Sequence, residues 1–208
     1  MLIKILPTKQ QLLQWSRDIH GILWHEFAPH HFKEMKRLFD SHQWDFDPET
    51  GEIRIGSGFG WRGQFAISGQ PFRNTRTVEG TNHILDVGIR NQTQTATWYF
   101  VPFSADATPA TTWTAANFNS NATEQTNYTE ATRQAAVWAA AASSAIATST
   151  DTTITADTGG MTIYGAGLSS VNTKSSTSGV LLAAGRLTSS ITYPAASTCD
   201  LSYTVTLS

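Results

Sequence analysis

The run Leu201-Ser202-Tyr203-Thr204-Val205-Thr206-Leu207 decides the predicted fold. Apolar and polar side chains alternate in it without a break, so Leu201, Tyr203, Val205 and Leu207 share one face. A period of two is typical of a β-strand with one buried side, and β-branched and aromatic residues fit the pleated surface of a sheet. The sequence therefore predicts a strand whose inner face carries these four side chains.

Further strand-like runs recur upstream, between turns rich in Thr, Ser, Gly and Asn. We predict strands at residues 52–55, 62–68, 83–89, 96–103, 152–156, 161–168 and 180–188. Several short strands at this spacing indicate an antiparallel β-sandwich or barrel. The Ala-rich run 134–147 has helical propensity, but Ser and Thr flank it heavily, which favours an extended or looped segment.

Charge is distributed unevenly along the chain. Residues 1–90 carry 21 charged side chains, whereas residues 91–208 carry 9 and contain 25 Thr, 22 Ala and 15 Ser. Such a shift in composition indicates a change of architecture. We therefore divide the chain into a helical N-terminal arm, residues 1–47, and a mainly β, antiparallel sandwich domain, residues 48–208.

Two amphipathic helices are predicted in the arm. Thr8 and Gln11 have the spacing of a capping box, and apolar residues follow at intervals of three and four. Pro29 separates this segment from a second one of the same kind, so the arm is predicted to be a helical hairpin.

Large apolar side chains are concentrated in this arm, and a small hairpin cannot bury so many aromatic rings alone. They pack either on the chain's own β-domain or on another subunit, and the sequence leaves both alternatives open. The residues that we take as candidates for a partner interface are Trp15, Ile19, Trp24, Phe27, Phe32, Phe39 and Trp44.

No metal site is predicted. His25, His30 and His31 are five and one residues apart, a spacing that does not place three imidazoles on one helical face. Residues 45–51 resemble the opening of a calcium loop, but the glycine falls at its seventh position, and Gly56 stands where the twelfth-position carboxylate is needed. We interpret residues 45–51 as a turn.

No catalytic or cofactor-binding residue is predicted either. The glycine-rich residues 56–60 lead into a strand rather than a helix, which is unsuitable for a phosphate. Glu124 and Glu130 suggest a pair of carboxylates for glycoside hydrolysis by their presence alone. Cys199 is followed by Asp200, which disfavours a thiolate and indicates a structural role.

Nucleic-acid and membrane partners are not expected. Residues 1–44 hold 6 basic and 4 acidic side chains, which does not form a basic recognition face. The long uncharged runs 107–123 and 134–150 are rich in Ala, Ser and Thr rather than Leu and Ile, so no transmembrane helix is predicted.

Four stretches of the second half carry a resemblance to a known family. They are Trp113-Thr114-x-Ala116-Asn117, Asn127-Tyr128-Thr129-Glu130-Ala131-Thr132-Arg133, Gly179-Val180-Leu181-Leu182-Ala183-Ala184-x-Arg186 and Leu201-Ser202-Tyr203-Thr204-Val205-Thr206-Leu207-Ser208. On these stretches, residues 95–208 resemble tailed-bacteriophage virion proteins, whereas residues 1–50 do not match that pattern.

The resemblance implies a small head protein that decorates or cements the capsid, with a jelly-roll-like sandwich, no enzymatic activity and no cofactor. We expect the partners to be the major capsid protein and copies of this chain, and the location to be the virion, with the host cytoplasm as the site of assembly. The alternative is a tail or fibre component that binds a host-surface sugar through Trp98 or Trp113. A virion-borne wall hydrolase is the third class, and no motif in the sequence favours it.

Overall fold

The computed structural model describes residues 44–46, 53–55 and 61–207. These residues fall into two compact units, which divide after residue 59 and are described separately. The elements are β1 Trp44–Phe46, β2 Ile53–Ile55, β3 Trp61–Ile67, β4 Gln70–Arg76, α1 Val78–Ile89, β5 Trp98–Phe103, α2 Ala115–Ala122, β6 Ala135–Ala136, β7 Ala145–Ala147, β8 Thr152–Thr155, β9 Met161–Ser169, β10 Leu181–Tyr193 and β11 Thr198–Leu207.

The first unit contributes one small antiparallel pair, in which β1 pairs β2 with Trp44 opposite Ile55. The strand predicted at residues 52–55 is therefore confirmed as β2. Apart from the strand β1, the predicted helical arm, residues 1–47, lies outside the described residues, and so does most of the turn predicted at residues 45–51.

The second unit is a nine-strand antiparallel sheet curled into a half-barrel, with two short helices in the described part of the chain. Its strand order is β6-β5-β9-β10-β4-β3-β11-β7, and β8 also pairs β11. The sheet turns at β4, where Arg73 pairs Gln64 of β3 but Asn74 pairs Gly185 of β10. The prediction of a mainly β, antiparallel domain is confirmed at this level.

The strand that decided the prediction lies near one end of this order, between β3 and β7. It pairs β3 from Leu201 opposite Ile67 to Leu207 opposite Trp61. The side chains of Leu201, Tyr203 and Val205 are buried, which confirms the inner face read from their alternation.

Aromatic rings fill the space enclosed by the curled sheet. The Phe65 ring stacks on Phe72 at 5.6 Å and lies 4.4 Å from the ring of Tyr203. A second cluster lies beneath α2, where the rings of Phe103, Trp113 and Phe118 meet edge to face at 6.0 to 6.2 Å. Residues far apart in sequence therefore hold both sides of the sheet together.

The Ala-rich run is extended, as predicted. Its first strand, β6, pairs β5 at one edge of the sheet, and β7 pairs β11 at the other. Between the two pairings the chain forms a hairpin, which is bridged at Trp138 and Thr148 and closed at its tip by hydrogen bonds between Ala142 and Ala145. Ser143 and Ser144 both have a positive φ there, which is a conformation that favours Asn and Gly.

The strand predicted at residues 83–89 is wrong, because these residues form most of α1. Their apparent alternation does not correspond to burial. The N-terminal cap of the helix, Thr77, lies six residues before the start of the predicted strand. Neither β4 nor α2 was predicted from the sequence. The helix α2 begins with a capping box, in which Thr114 and Asn117 bond each other's backbone amides.

Candidate interaction surface

One helix carries most of the exposed large apolar side chains in the described part of the chain. On α1, Val78 is 54 %, Ile84 39 %, Leu85 50 % and Ile89 78 % exposed. Val78, Leu85 and Ile89 are separated by seven and four residues, a spacing that places them on one stripe of the helix. We call Val78, Ile84, Leu85 and Ile89 the α1 apolar face.

The remainder of α1 is also poorly covered. Of its 12 residues, Gly80 alone is buried within the described chain. An isolated helix of this length is marginally stable in water, and most helices depend on packing of an apolar face. The exposed face is therefore the place where a second surface would stabilise this helix most.

The N-terminal turn of α1 is firmly anchored to the sheet. The Thr77 hydroxyl accepts a hydrogen bond from the amide of Gly80 at 2.9 Å and donates to the carbonyl of Leu181. The Glu79 carboxylate accepts from the amides of Leu181 at 2.7 Å and Ala115 at 2.8 Å. A side chain at position 80 would collide with the backbone of Leu182, so glycine permits the close approach. The α1 apolar face thus stands on a rigid base.

The two glutamates considered as a catalytic pair have structural partners instead. Arg133 donates to both carboxylate oxygens of Glu124, at 2.9 Å from Nε and 2.7 Å from Nη2, and the pair is buried. The Glu130 carboxylate accepts from the backbone amide of Thr155 at 3.1 Å. Nothing in this arrangement supports an acid and base pair at Glu124 and Glu130.

A lysine lies beside the buried ion pair. Lys174 donates to the carbonyls of Thr126 at 3.1 Å and Tyr128 at 2.9 Å, and its Nζ stands 3.4 Å from the centre of the Tyr128 ring. Burial lowers the pKa of Lys174, while nearby carboxylates oppose that effect. Burial raises the pKa of the Tyr128 hydroxyl well above its ordinary value. The ammonium group thus holds the chain after Glu124 in place.

An open groove of about 590 Å³ lies at one end of the sheet. It is bordered by the segment after α2, by the start of β9 and by the end of β10. The residues lining it are Ser104, Thr123, Glu124, Gln125, Thr126, Asn127, Gly159, Gly160, Met161, Thr162, Thr192, Tyr193 and Pro194. The sequence did not predict this groove, because its walls come from four segments that share no motif.

The remaining chemistry-bearing residues lie apart from one another. His83 hydrogen-bonds Thr95 at 2.9 Å and packs edge-on against Trp98. Cys199 is a buried free thiol, and burial raises its pKa to about 11, in keeping with the predicted structural role. The described residues include no group of three or more His, Cys, Asp or Glu side chains able to hold a metal ion. The histidines weighed as metal ligands, His25, His30 and His31, lie outside the described residues.

The candidate interface residues of the arm are likewise undescribed. Trp15, Ile19, Trp24, Phe27, Phe32 and Phe39 lie outside the described residues, and Trp44 lies in β1. The α1 apolar face was not predicted from the sequence, because Ile84, Leu85 and Ile89 were assigned to a strand and Val78 to no element. A helical spacing from Val78 to Ile89, preceded by the capping Thr77, is the signal that identifies it.

Comparison with known proteins adds no assignment. No known protein family matches the chain, and no curated protein matches it. Neither described helix has the length and apolar character needed to cross a membrane.

Proposed function

We propose that the protein is a non-enzymatic virion structural protein, a cement or decoration subunit of a bacteriophage capsid. It binds the major capsid protein and copies of itself, and it resides on the virion after assembly in the host cytoplasm. The observation that carries this proposal is the α1 apolar face, which presents four large apolar side chains on an anchored helix.

The size of this face favours a binding mode with several contacts. It covers on the order of a few hundred Å², at the scale where exposed apolar patches mark interaction sites. A stable two-protein interface needs roughly 800 Å² from each partner, so one such face is insufficient alone. A subunit attached at several points gains strength because each later contact is effectively intramolecular. The predicted arm, residues 1–47, supplies further contacts in this proposal.

The composition of residues 91–208, the larger part of the β-domain, supports the same role. Residues 91–208 carry 9 charged side chains, 3 basic and 6 acidic. Low charge reduces the repulsion that normally keeps protein surfaces apart. Copies of such a domain tolerate close packing on a shell.

The finer fold belongs to the proposal as well: a jelly-roll-like sandwich preceded by a helical hairpin. The sandwich part of this proposal is supported by β4, which pairs β3 through its first half and β10 through its second. A strand that changes partner in this way forms the corner between two facing layers.

Counting copies in purified particles tests the proposed function. We expect quantitative protein gels, with the major capsid protein as internal standard, to give a fixed ratio on the scale of the capsid lattice. A handful of copies per particle, or absence from washed particles, would rule out lattice decoration.

The alternative, sugar binding through Trp98 or Trp113, is not favoured by the burial of these residues. Trp113 is 6 % exposed and packs between Phe103 and Phe118. Trp98 is half-buried, and its ring meets His83 edge-on at 5.6 Å. The buried Trp113 ring therefore offers no free face for a sugar to stack on, and the Trp98 ring is only partly accessible.

A further inference from the structure

The groove bordered by α2, β9 and β10 has an electrically neutral lining. Within the described chain, Glu124 is the one residue with a formal charge that lines it, and both of its carboxylate oxygens are bonded to Arg133. Tyr193 also borders the groove, and its buried side chain shares a 2.8 Å hydrogen bond between its hydroxyl and that of Ser68. Burial raises the pKa of Tyr193 far above neutrality. An ionic ligand therefore meets no opposite charge in this groove.

Hydroxyl and amide groups dominate the accessible wall. The hydroxyls of Thr162 and Thr192 lie 3.1 Å apart at its rim and are exposed. The side chains of Thr123 and Asn127 are exposed on the opposite border. An apolar ligand would cover these groups without offering them the hydrogen bonds that water gives, and a polar group buried in that way carries a free-energy cost.

The floor of the groove is held in a fixed shape. The Gln125 side chain, itself buried, donates to the carbonyl of Thr162 at 3.0 Å and accepts from the amide of Asn127 at 2.9 Å. The backbone amide of Gln125 donates to the carbonyl of Pro102 at 2.8 Å. A segment without regular secondary structure is thus fixed from both sides, and such preorganisation reduces the cost of ligand binding.

One wall of the groove is also strained. Thr123 has a φ of +51°, a left-handed conformation that is rare for a β-branched residue. Its carbonyl accepts hydrogen bonds from the amide of Ser104 at 2.9 Å and from the Ser104 hydroxyl at 3.1 Å. Strain of this kind persists where the surroundings over-determine it, and it clusters at ligand sites.

We infer that this groove binds a neutral saccharide. A saccharide supplies the hydroxyl donors and acceptors that Thr123, Asn127, Thr162 and Thr192 can pair, and it needs no counter-charge. The volume of about 590 Å³ lies in the range of small-molecule clefts. This site goes beyond the proposed cement function and does not depend on it.

Saturation-transfer NMR on the full chain detects the binding of a saccharide, and the chemical shifts of the protein's amide signals locate the site. The probes are the neutral disaccharides maltose, lactose and N,N′-diacetylchitobiose, with sialyllactose and inorganic phosphate as anionic comparisons. We expect at least one neutral disaccharide to bind and to shift the amide signals of Asn127, Thr162 and Thr192, with no binding by phosphate.

Two substitutions then localise the site. Thr192→Val removes one hydroxyl at nearly constant shape, and Asn127→Ala removes the exposed amide. Each should weaken binding roughly five-fold, the effect of one lost hydrogen bond. Thr188→Val, an exposed threonine of β10 that does not line the groove, is the matched control and should leave affinity unchanged.

Three results would overturn the inference. They are no binding of any neutral probe to the folded wild-type chain, amide shifts located away from the groove, and tighter binding of the anionic probes. The amide shifts of the wild-type chain decide the location even if a variant fails to fold. Attachment to particles is measured separately, so failure here leaves the cement proposal standing.

Discussion

Arg133 and Glu124 form a buried ion pair that joins the segment after α2 to the loop between β9 and β10. The two residues are 3 % and 5 % exposed, and Arg133 also donates to the carbonyls of Val171 at 2.9 Å and Ser176 at 3.3 Å. The amide of Ser175 donates to the Glu124 carboxylate at 2.7 Å. Both charges therefore have partners, and the pair fixes two long connections against each other.

Breaking this pair is predicted to be costly. Arg133→Met leaves the Glu124 carboxylate buried without its counter-charge, and we expect a loss of about 3 to 5 kcal/mol in the free energy of unfolding. The double variant Glu124→Leu/Arg133→Met should lose less than the sum of its single changes. Urea unfolding measures both.

The exposed pair Asp86 and Arg90 on α1 is the control for that experiment. Arg90→Met should cost less than about 0.5 kcal/mol, because exposed pairs of this spacing are weak. If Arg133→Met lowers the free energy of unfolding as little as Arg90→Met does, the buried pair does not hold the loops.

The tip of the Ala-rich hairpin offers a gain in stability. Ser143 has a φ of +51° and Ser144 a φ of +60°, which matches the turn that Asn-Gly adopts readily. Ser143→Asn and Ser144→Gly should each add about 0.5 to 1 kcal/mol to the free energy of unfolding, because less strain is built into the folded turn. Thermal unfolding checks this, with Ser189→Gly in the exposed part of β10 as the control that gains nothing.

Alkaline pH is predicted to weaken the fold through Cys199. Burial raises the pKa of its thiol from 9.0 to about 11, so the folded state keeps the proton when the unfolded chain releases it. This contribution is complete below pH 9 and is lost as pH rises through about 11. By pH 10 the wild type should lose roughly 1 kcal/mol more than Cys199→Ala, relative to each protein at pH 8. The free energy of unfolding is measured by urea titration at each pH. If it falls with pH in parallel for the two proteins, this assignment is contradicted.

Deleting residues 1–47 is predicted to leave the β-domain folded. The buried apolar clusters of the second unit are built from residues 65–205, which form a compact unit of their own. The truncated chain should keep a cooperative thermal transition but attach more weakly to particles. If the truncated chain unfolds instead, the aromatic side chains of the arm belong to the core of the β-domain.

Local patterns in the sequence identified the elements whose burial follows their alternation. The run from Leu201 to Leu207 was assigned correctly because each inward side chain is large and each outward one is polar. The same reasoning failed at residues 83–89, where apolar side chains point to solvent. Because an exposed apolar surface contradicts the usual relation between hydrophobicity and burial, this part of α1 was predicted as a strand.

The groove and the buried ion pair could not be derived from spacing. Glu124 and Arg133 are nine residues apart on irregular backbone, and the rim hydroxyls of Thr162 and Thr192 are thirty residues apart. The contact between Thr162 and Thr192 depends on the register of β9 with β10, in which three extra residues of β10 are accommodated between Arg186 and Ile191. Sequence patterns predict which face of a strand is buried, but they do not fix such a register.

Attachment through the α1 apolar face is the central claim, and a reconstitution experiment tests it most directly. Purified chain is added to particles that lack it, and the bound amount is measured after sedimentation. Leu85→Glu should bind at least about ten-fold more weakly, because it places a charge in the apolar contact. Val137→Glu, which changes an exposed large apolar residue outside α1, is the control and should bind like the wild type. Wild-type binding by a folded Leu85→Glu variant would contradict the account.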